Sequence, residues 1–518
     1  MKYLFFLPHY PSFCWAGVYG VILDQVEVLA REGHHIRLIT CTDCSTLGEC
    51  YHNHTHPEKV CRLCGFNREY LLSKLSDKVE QVPLSTYATH IAAPPSMQYD
   101  SIEDILKLKY KGVHIGYAAM STYISYGIRN LYPLLDEQFR SYLDRLLARC
   151  CRFADVVEAA IEDFKPDSVG LFNARLVDDR PIVDICRREG IDFTCYEHRL
   201  ILGNQPRKTR FHNTTPHCEA DTRKRMEEIW DDPSVPTEEK VALGKSFFEN
   251  RRNSVAAGDK VYTGEQKAGL LPEDWDKSKY NIVIFNSSED EMAYVEEDNQ
   301  AGALFPTQLD GFDTIFEMNK DRDDIHFYIR IHPNLKDIPY LYSTLLPKYG
   351  EIYDNVTVIP GDSPISTYSL IDVADKVLVF GSTAGAEAAY AGTPTILVAG
   401  SVYSDLGICY IPKTVEELEQ LLLDKNLPAK DGSGALKMGY YYLRTYDGVF
   451  QYFKVENKYY SILGKPLRIQ RFDIDGHKGT RWRTTFNQTL CKMLYETLPK
   501  ISLPIKEDSS RYNHLRVG

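Results

Sequence analysis

The chain has 518 residues, 43% of them hydrophobic, 25% charged and 12% aromatic, with a formal charge of −12. It is too long for one ordinary hydrophobic core and too apolar for a disordered or fibrous protein, so two large domains and a tail are expected. The acidic balance excludes a general polyanion binder, which would carry a basic surplus, and no nucleic-acid partner is expected.

The apolar opening MKYLFFLP stops at Pro8 without a small-residue cleavage site, so it reads as a buried strand rather than a secretion signal. No run of about 18 apolar residues occurs, so no membrane-spanning helix is expected and the protein is placed in the cytoplasm. Residues 2 to 40 follow the order strand, loop, helix, strand, which is one βαβ unit. Such units imply a parallel sheet covered by helices, with ligands at the carboxyl ends of the strands. The loop of Pro8, His9, Tyr10 and Gly17 is expected to line that cleft, with His9 a candidate catalytic base.

Five of the 13 cysteines fall between Cys41 and Cys64. Cys41-x2-Cys44 and Cys61-x2-Cys64 are separated by 16 residues, with Cys50, His52, His54 and His56 between them. In a reducing compartment this spacing points to metal before disulfide, and four thiolates would close a tetrahedral structural zinc site stapling an insertion with little core of its own. Buried cysteines without metal, and a redox or iron–sulfur role, are the other readings.

Residues 103 to 163 read as helical, and DSVGLFNARLVDDRPIVDICRREGIDFTCYEHRL repeats the strand, loop, helix, strand rhythm. Asn173, Arg175, Glu197 and Arg199 take the positions after its strands, and Glu197 is the second candidate base. His9 and Glu197 can each equally be structural hydrogen-bonding residues, and Asp178, Asp179 and Arg180 read as a helix cap. Residues 218 to 257, rich in Glu, Lys and Arg, read as solvent-facing helices that close a first domain of 1–260.

The second domain, 261–430, opens with YNIVIFNSS and continues through HFYIRIHPN, NVTVIPG, KVLVFGSTAG and PTILVAG. Strand-like segments alternating with helical ones are the pattern of a doubly wound α/β sheet. In VLVFGSTAGAEAAYAGTP an apolar strand runs into Gly381, Ser382, Thr383, Ala384 and Gly385 and then a short helix with Glu387. Small residues let a phosphate approach the backbone, free N–H groups favour its charge, and Glu387 is placed to accept from ribose hydroxyls. The bland alternative makes Ser382 an N-cap and Glu387 a solvated helix residue. In RIHPN, Arg330 and His332 share one face at a strand end. Asn286, Ser287 and Ser288 follow the preceding strand, and Ser363 to Ser366 follow another, so these polar groups are expected to converge. Residues 431–518, with a Tyr-rich stretch and a basic segment at 468 to 483, do not continue the repeat and are expected to pack back across the domains.

RIHPN, the Ser-containing turn and VADKVLVFGSTAGAEAAYAGTPTILVAGSVYSD resemble the C-terminal domain of bacterial capsular polysaccharide glycosyltransferases, including Kdo-transferase-like members, of GT-B architecture. The resemblance is specific over roughly 280 to 420 and holds in outline for the first half. It implies two Rossmann-like domains and transfer of a sugar from a UDP- or CMP-sugar donor to a growing capsule or lipopolysaccharide, with no catalytic metal. It also implies that His332, Ser382, Thr383 and Glu387 bind the donor, and that the protein works on a glycan or lipid-linked glycan, with peripheral contact at the inner face of the cell membrane. The Cys-rich insertion lies outside the resemblance. A UDP-sugar 2-epimerase-like enzyme and a non-catalytic glycan-assembly protein are the alternatives.

Overall fold

The computed structural model describes residues 1–7, 16–41, 46–48, 50, 61, 64–65, 68–69, 72–89, 91, 93–125, 129–201, 205–255, 264, 266–295, 303–444, 448–462, 465–474 and 505–516. The opening apolar run forms β1 (Lys2–Leu7), followed by α1 (Ala16–Arg31) and β2 (His35–Thr40), and β1 pairs with β2 in parallel. After the cysteine-containing insertion come β3 (Val79–Pro83), the long helix α2 (Glu137–Phe164), β4 (Ser168–Phe172), α3 (Arg180–Glu189), β5 (Asp192–Ile201) and β6 (Gln205–His212). With β12 (Gly448–Val449) they make a seven-stranded sheet in the order β12-β6-β5-β4-β1-β2-β3. Strands β1 to β5 run parallel, whereas β5 and β6 form an antiparallel hairpin.

Alternation of side chains across the pleat sorts β1 between two cores. Leu4 and Phe6 pack with Phe153, Val157 and their neighbours on α2, while Phe5 and Leu7 pack with Val21, Ile22 and Val26 of α1. Asp136 caps α2 by accepting from the amides of Gln138 and Phe139.

The second sheet is entirely parallel, in the order β11-β10-β7-β8-β9. Its strands are β7 (Tyr280–Phe285), β8 (Ile325–Arg330), β9 (Val356–Ile359), β10 (Lys376–Val379) and β11 (Thr395–Leu397). Its faces divide in the same way: Ile282, Ile284 and Ile329 meet Phe312 and Ile315 of α6 (Gln308–Asn319), and Val283, Phe285 and Val379 belong to the opposite core. Both sheets carry the doubly wound order, with the progression of strands turning back between β1 and β4 in the first and between β7 and β10 in the second.

Helices α4 (Glu219–Asp231) and α5 (Thr237–Arg252) are not simply solvent-facing, as their charge content predicts. Met226, Phe247 and Phe248 are buried in the second domain's core with Met438 and Tyr441. Gly244 and Gly439 let α5 approach the helix Ala435–Arg444, because a Cβ at Gly244 would sit 2.6 Å from the Leu436 carbonyl oxygen. Beyond that helix the chain returns to the first domain. β12 pairs with β6, and the buried carboxylate of Asp24 accepts from the amides of Gln451, Tyr452 and Phe453 and from Lys208 Nζ at 2.8 Å. Strands β13 (Phe453–Ile462) and β14 (Lys465–Ile474) form a separate antiparallel ribbon.

Residues 505–516 touch both domains. The Leu134 amide donates to the Lys506 carbonyl at 2.8 Å, the Glu507 carboxylate accepts from the Leu341 amide at 2.6 Å, and Tyr512 Oη lies 2.9 Å from Thr307 Oγ1. Among the described residues, no helix is long and apolar enough to cross a membrane.

Candidate functional site

The doubly wound order brings the carboxyl ends of β10, β7 and β8 side by side, and the chain leaving each strand contributes to one cleft. Asn286 follows β7, Arg330 ends β8 with His332 just beyond, and Ser382, Thr383, Ala384 and Glu387 follow β10; all seven line this cleft. Arg251, Gln266, Thr367 and Tyr368 add polar groups, and Phe285, Ile331 and Pro333 complete the wall.

Most of the wall is fixed by its own hydrogen bonds. Asn286 Oδ1 accepts from the His332 amide at 2.7 Å, and His332 Nδ1 accepts from the Asn334 amide at 3.1 Å. In the neutral ring the proton therefore sits on Nε2. Arg330 is 2% exposed; its Nη atoms donate to the carbonyls of Pro360 and Ser363, and its buried Nε–H has no acceptor. Among the described residues no carboxylate pairs with this guanidinium, and burial pushes it down to about 10, with Asp362 opposing the shift only weakly. A buried cation in that condition attracts an anionic ligand.

After β10, Gly381 takes φ +77°, and a Cβ there would lie 2.9 Å from the Gly400 carbonyl oxygen, so the turn requires glycine. Ser382 Oγ accepts from the Ala384 amide at 3.4 Å, and the Ser382 carbonyl accepts from Tyr403 Oη at 2.5 Å. The short helix α8 (Ala384–Tyr390) begins there, with the amides of Gly385 and Ala386 bonded to the carbonyls of Ser382 and Thr383. These two amides are thus engaged inside the turn, and the arginines that line the cleft are Arg330 and Arg251.

Glu387 is not a solvated helix residue. Its carboxylate is 5% exposed and accepts from Arg251 Nε at 3.0 Å, while Arg251 Nη2 donates to Thr383 Oγ1 at 3.4 Å. Burial and the adjacent Glu387 both raise the Tyr368 phenol. Sequence reasoning missed Arg251, Gln266, Thr367 and Tyr368. Arg251 ends a helix rich in charged residues, where nothing local distinguishes a buried Arg from a solvated one. Gln266 Oε1 accepts from the Thr367 amide at 2.9 Å, a pairing 101 residues apart in the chain.

Two expected members lie beside the cleft instead of lining it. Ser287 Oγ accepts from Gln308 Nε2 at 2.9 Å, and Ser366 caps α7 (Thr367–Val373) by accepting from the Ser369 amide. The Ser287 hydroxyl is engaged by a side-chain amide and the Ser366 hydroxyl by a backbone amide, the latter the usual role of a small polar residue at a helix start.

The carboxyl edge of the first sheet faces the chain leaving β7. Arg129 Nε donates to Asp290 Oδ2 at 2.5 Å, Arg175 Nη1 to the Glu291 carbonyl at 3.1 Å and Arg180 Nη1 to the Val295 carbonyl at 3.2 Å. Asn173 and Ala174, after β4, both hold left-handed backbone at φ 65° and 75°, a conformation costly for residues with a Cβ. Asp178 does not cap a helix: it forms a buried ion pair with Arg149, with Nη2 2.7 Å from Oδ2. Asp179 precedes α3 without a side-chain capping bond, and burial with Asp178 and Glu197 nearby raises its carboxyl well above the usual range. Burial pushes His217 down to about 3, with Arg175 adding to the effect.

Glu197 lies within β5 and not after it, because the hairpin with β6 extends the strand; its partner is Thr209. The parallel neighbour β4 ends at Phe172, opposite Tyr196, so Glu197 still stands at the carboxyl edge of the parallel sheet. His9 lies outside the described residues.

Cys44 and His52, His54 and His56 also lie outside the described residues, so the four-cysteine set is not seen whole. Cys41, Cys50, Cys61 and Cys64 are each half-buried. Among the described residues, no group of three or more His, Cys, Asp or Glu side chains is placed to hold a metal ion, and the zinc expectation gains no support from them.

Two Rossmann-like domains meet at the carboxyl edges of their sheets, a mixed α/β architecture. No family model and no curated protein matches the chain. Solved structures are similar to it. KpsC of Thermosulfurimonas dismutans, a β-Kdo 2,4-transferase, matches over 59% of this chain and 85% of its own at 11% identity and TM-score 0.32. UDP-GlcNAc 2-epimerase from Neisseria meningitidis bound to UDP-GlcNAc matches over 85% and 98%, at 11% identity and TM-score 0.27. The calicheamicin glycosyltransferase CalG4 matches over 86% and 94%, at 12% identity and TM-score 0.24. The two-sheet class rests on the strands themselves, and the chemistry of these proteins stays with them.

Proposed function

We propose that this chain is a glycosyltransferase that binds a nucleotide-sugar donor, a UDP- or CMP-sugar, in the cleft of the second domain. The observation that carries the reading is Arg330, a guanidinium buried at a strand end with no carboxylate partner among the described residues and an Nε–H without an acceptor. A phosphate supplies the missing charge and acceptor together. The Ser382 and Thr383 hydroxyls and the Nε2–H of His332 add donors for its remaining oxygens, and Glu387 offers a carboxylate to the ribose.

In this reading a glycan or lipid-linked glycan acceptor lies against the carboxyl edge of the first sheet. Its hydroxyl oxygen bonds to the anomeric carbon as the bond from that carbon to the donor phosphate oxygen breaks. The nucleotide leaves with the electron pair, and the hydroxyl proton passes to a base of the first domain. Glu197 is our candidate on that edge, with His9 the second from its place after β1. We place the reaction in capsule or lipopolysaccharide assembly at the cytoplasmic face of the membrane.

The test is calorimetric titration and thermal stability against UDP, CMP and GDP and their phosphate-free nucleosides. One nucleotide is expected to stabilise the wild type by roughly 2.7 kcal/mol at about 100 times its dissociation constant. At the same nucleotide concentration the effect should fall to roughly 1.4 kcal/mol or less in Ser382→Ala and Glu387→Ala proteins that still fold, the mark of an affinity at least about tenfold weaker. Absence of any nucleotide effect would overturn the reading. Turnover of a free UDP-sugar without acceptor would replace it with an epimerase.

A further inference from the structure

The second domain's sheet is completed by its own βα repeats, yet one side chain of the cleft arrives from elsewhere. Arg251 sits at the end of α5, ahead of the domain in sequence and outside the repeats. Its helix end is firmly seated: Phe248 stacks on Tyr390 of α8 with ring centroids 4.3 Å apart, Arg252 pairs with Asp372 of α7, and the Arg251 guanidinium lies 5.4 Å above the Phe247 ring. From there Arg251 reaches two residues of the same turn, Glu387 through Nε and Thr383 through Nη2.

That geometry, with the Tyr368 phenol as a second hydrogen-bond partner, fixes the carboxylate, and Arg251 is its cationic partner. Glu387 is on a helix of only 7 residues and is 5% exposed, and a buried carboxylate needs a cation and directed donors to hold one rotamer. A guanidinium presents its donors in a rigid planar fork, so it sets both the position and the orientation of the group it holds. Arg251 Nε takes one oxygen and the Tyr368 phenol also hydrogen-bonds to the carboxylate, whose four lone-pair positions still leave room for a ligand; it can read a pair of hydroxyls only if it does not rotate.

We infer that Arg251 is the positioning residue that presets Glu387 for a ribose diol, so that the preference for ribonucleotides over deoxyribonucleotides depends on a helix outside the donor domain's own repeats. The inference rests on the reading of the cleft as a nucleotide site. It assigns Arg251 no contact with the reacting atoms. Phosphate capture belongs to Arg330 and is independent of it.

The experiment compares UMP and CMP with their 2′,3′-dideoxy counterparts by titration calorimetry on the full chain, in wild type, Arg251→Lys, Arg251→Gln and Lys245→Ala. Lys245→Ala changes an exposed residue of the same helix and serves as the control. Wild type and control should bind the dideoxy compound about tenfold or more weakly, the scale of a lost hydrogen bond to a charged group. In both Arg251 variants the ratio should fall to within about twofold, while competition by inorganic pyrophosphate keeps its wild-type strength. A purely structural role would weaken ribo- and dideoxy-nucleotides alike and leave the ratio intact, which overturns the inference. So does a wild type that binds the two compounds equally, whatever the variants do. A wild type that binds no nucleotide at all fails the donor-site reading itself, a result distinguishable from either.

Discussion

Replacing Arg330 with methionine should make the protein more stable and less able to bind its ligand. Burial holds the guanidinium at about 10, well below its ordinary value, and at about 1.36 kcal/mol per pH unit that difference is a cost of roughly 3 kcal/mol at neutral pH. The sign follows from linkage: the folded chain binds this proton less tightly than the unfolded one, so the cost is fully present at every pH below about 10. Against it stand the bonds to the Pro360 and Ser363 carbonyls, which a methionine leaves without a donor at about 1 kcal/mol each. The net expectation is a gain of about 1 kcal/mol, or a rise of about two degrees in melting temperature. Phosphate affinity should fall about tenfold or more, because a charge-assisted hydrogen bond is removed. Differential scanning fluorimetry with and without nucleotide reads both effects, and the order of the two proteins should reverse on adding ligand. An Arg330→Met protein that melts below wild type without ligand, and still gains from nucleotide, refutes the reasoning.

Three further outcomes follow from other parts of the molecule. Burial raises the Glu289 carboxyl to about 7 from 4.5, so the folded state binds that proton more tightly, and the stability it contributes below about pH 4.5 is lost as the pH rises through 7. Glu289→Gln should therefore match wild type near pH 4 and exceed it by up to roughly 3 kcal/mol at pH 8.5; urea unfolding across that range checks it, and a gap that does not widen counts against it. Asp24→Ala leaves Lys208 buried without its carboxylate and three amides of 451–453 without their acceptor. A loss of about 3–5 kcal/mol is expected, with faster hydrogen exchange in that segment. Gly381→Ala should cost roughly 1–3 kcal/mol and weaken nucleotide binding together, because the left-handed turn that aims Ser382 cannot be kept.

The parts of the molecule that were legible in sequence are those where a single segment carries its own instruction. Five apolar runs alternating with helical ones define the parallel second sheet, and RIHPN and VFGSTAG place polar residues just past strand ends, which is where the cleft lies. Ser287 and Ser366 carry the same local signal, but their hydroxyls are engaged elsewhere, by the Gln308 side chain and by the Ser369 amide, a distinction that depends on those partners. Arg251 and Gln266 enter the cleft through packing across more than 100 residues, so their neighbours in sequence say nothing of it. Glu197 was expected after a strand and stands within one, because the antiparallel partner β6 extends β5 beyond the point where its parallel neighbour stops.

The return of β12 and residues 451–453 to the first sheet separates the order of synthesis from the order of assembly. On the ribosome, β6 is made some 240 residues before the strand that covers its edge. Until then Asp24 holds Lys208 without the three amides that complete its shell, and an open strand edge is exposed to other chains. The first domain can therefore reach its final form only after the second has been translated. An exchange of domains between related chains at one junction near residue 260 would leave each half missing part of the other.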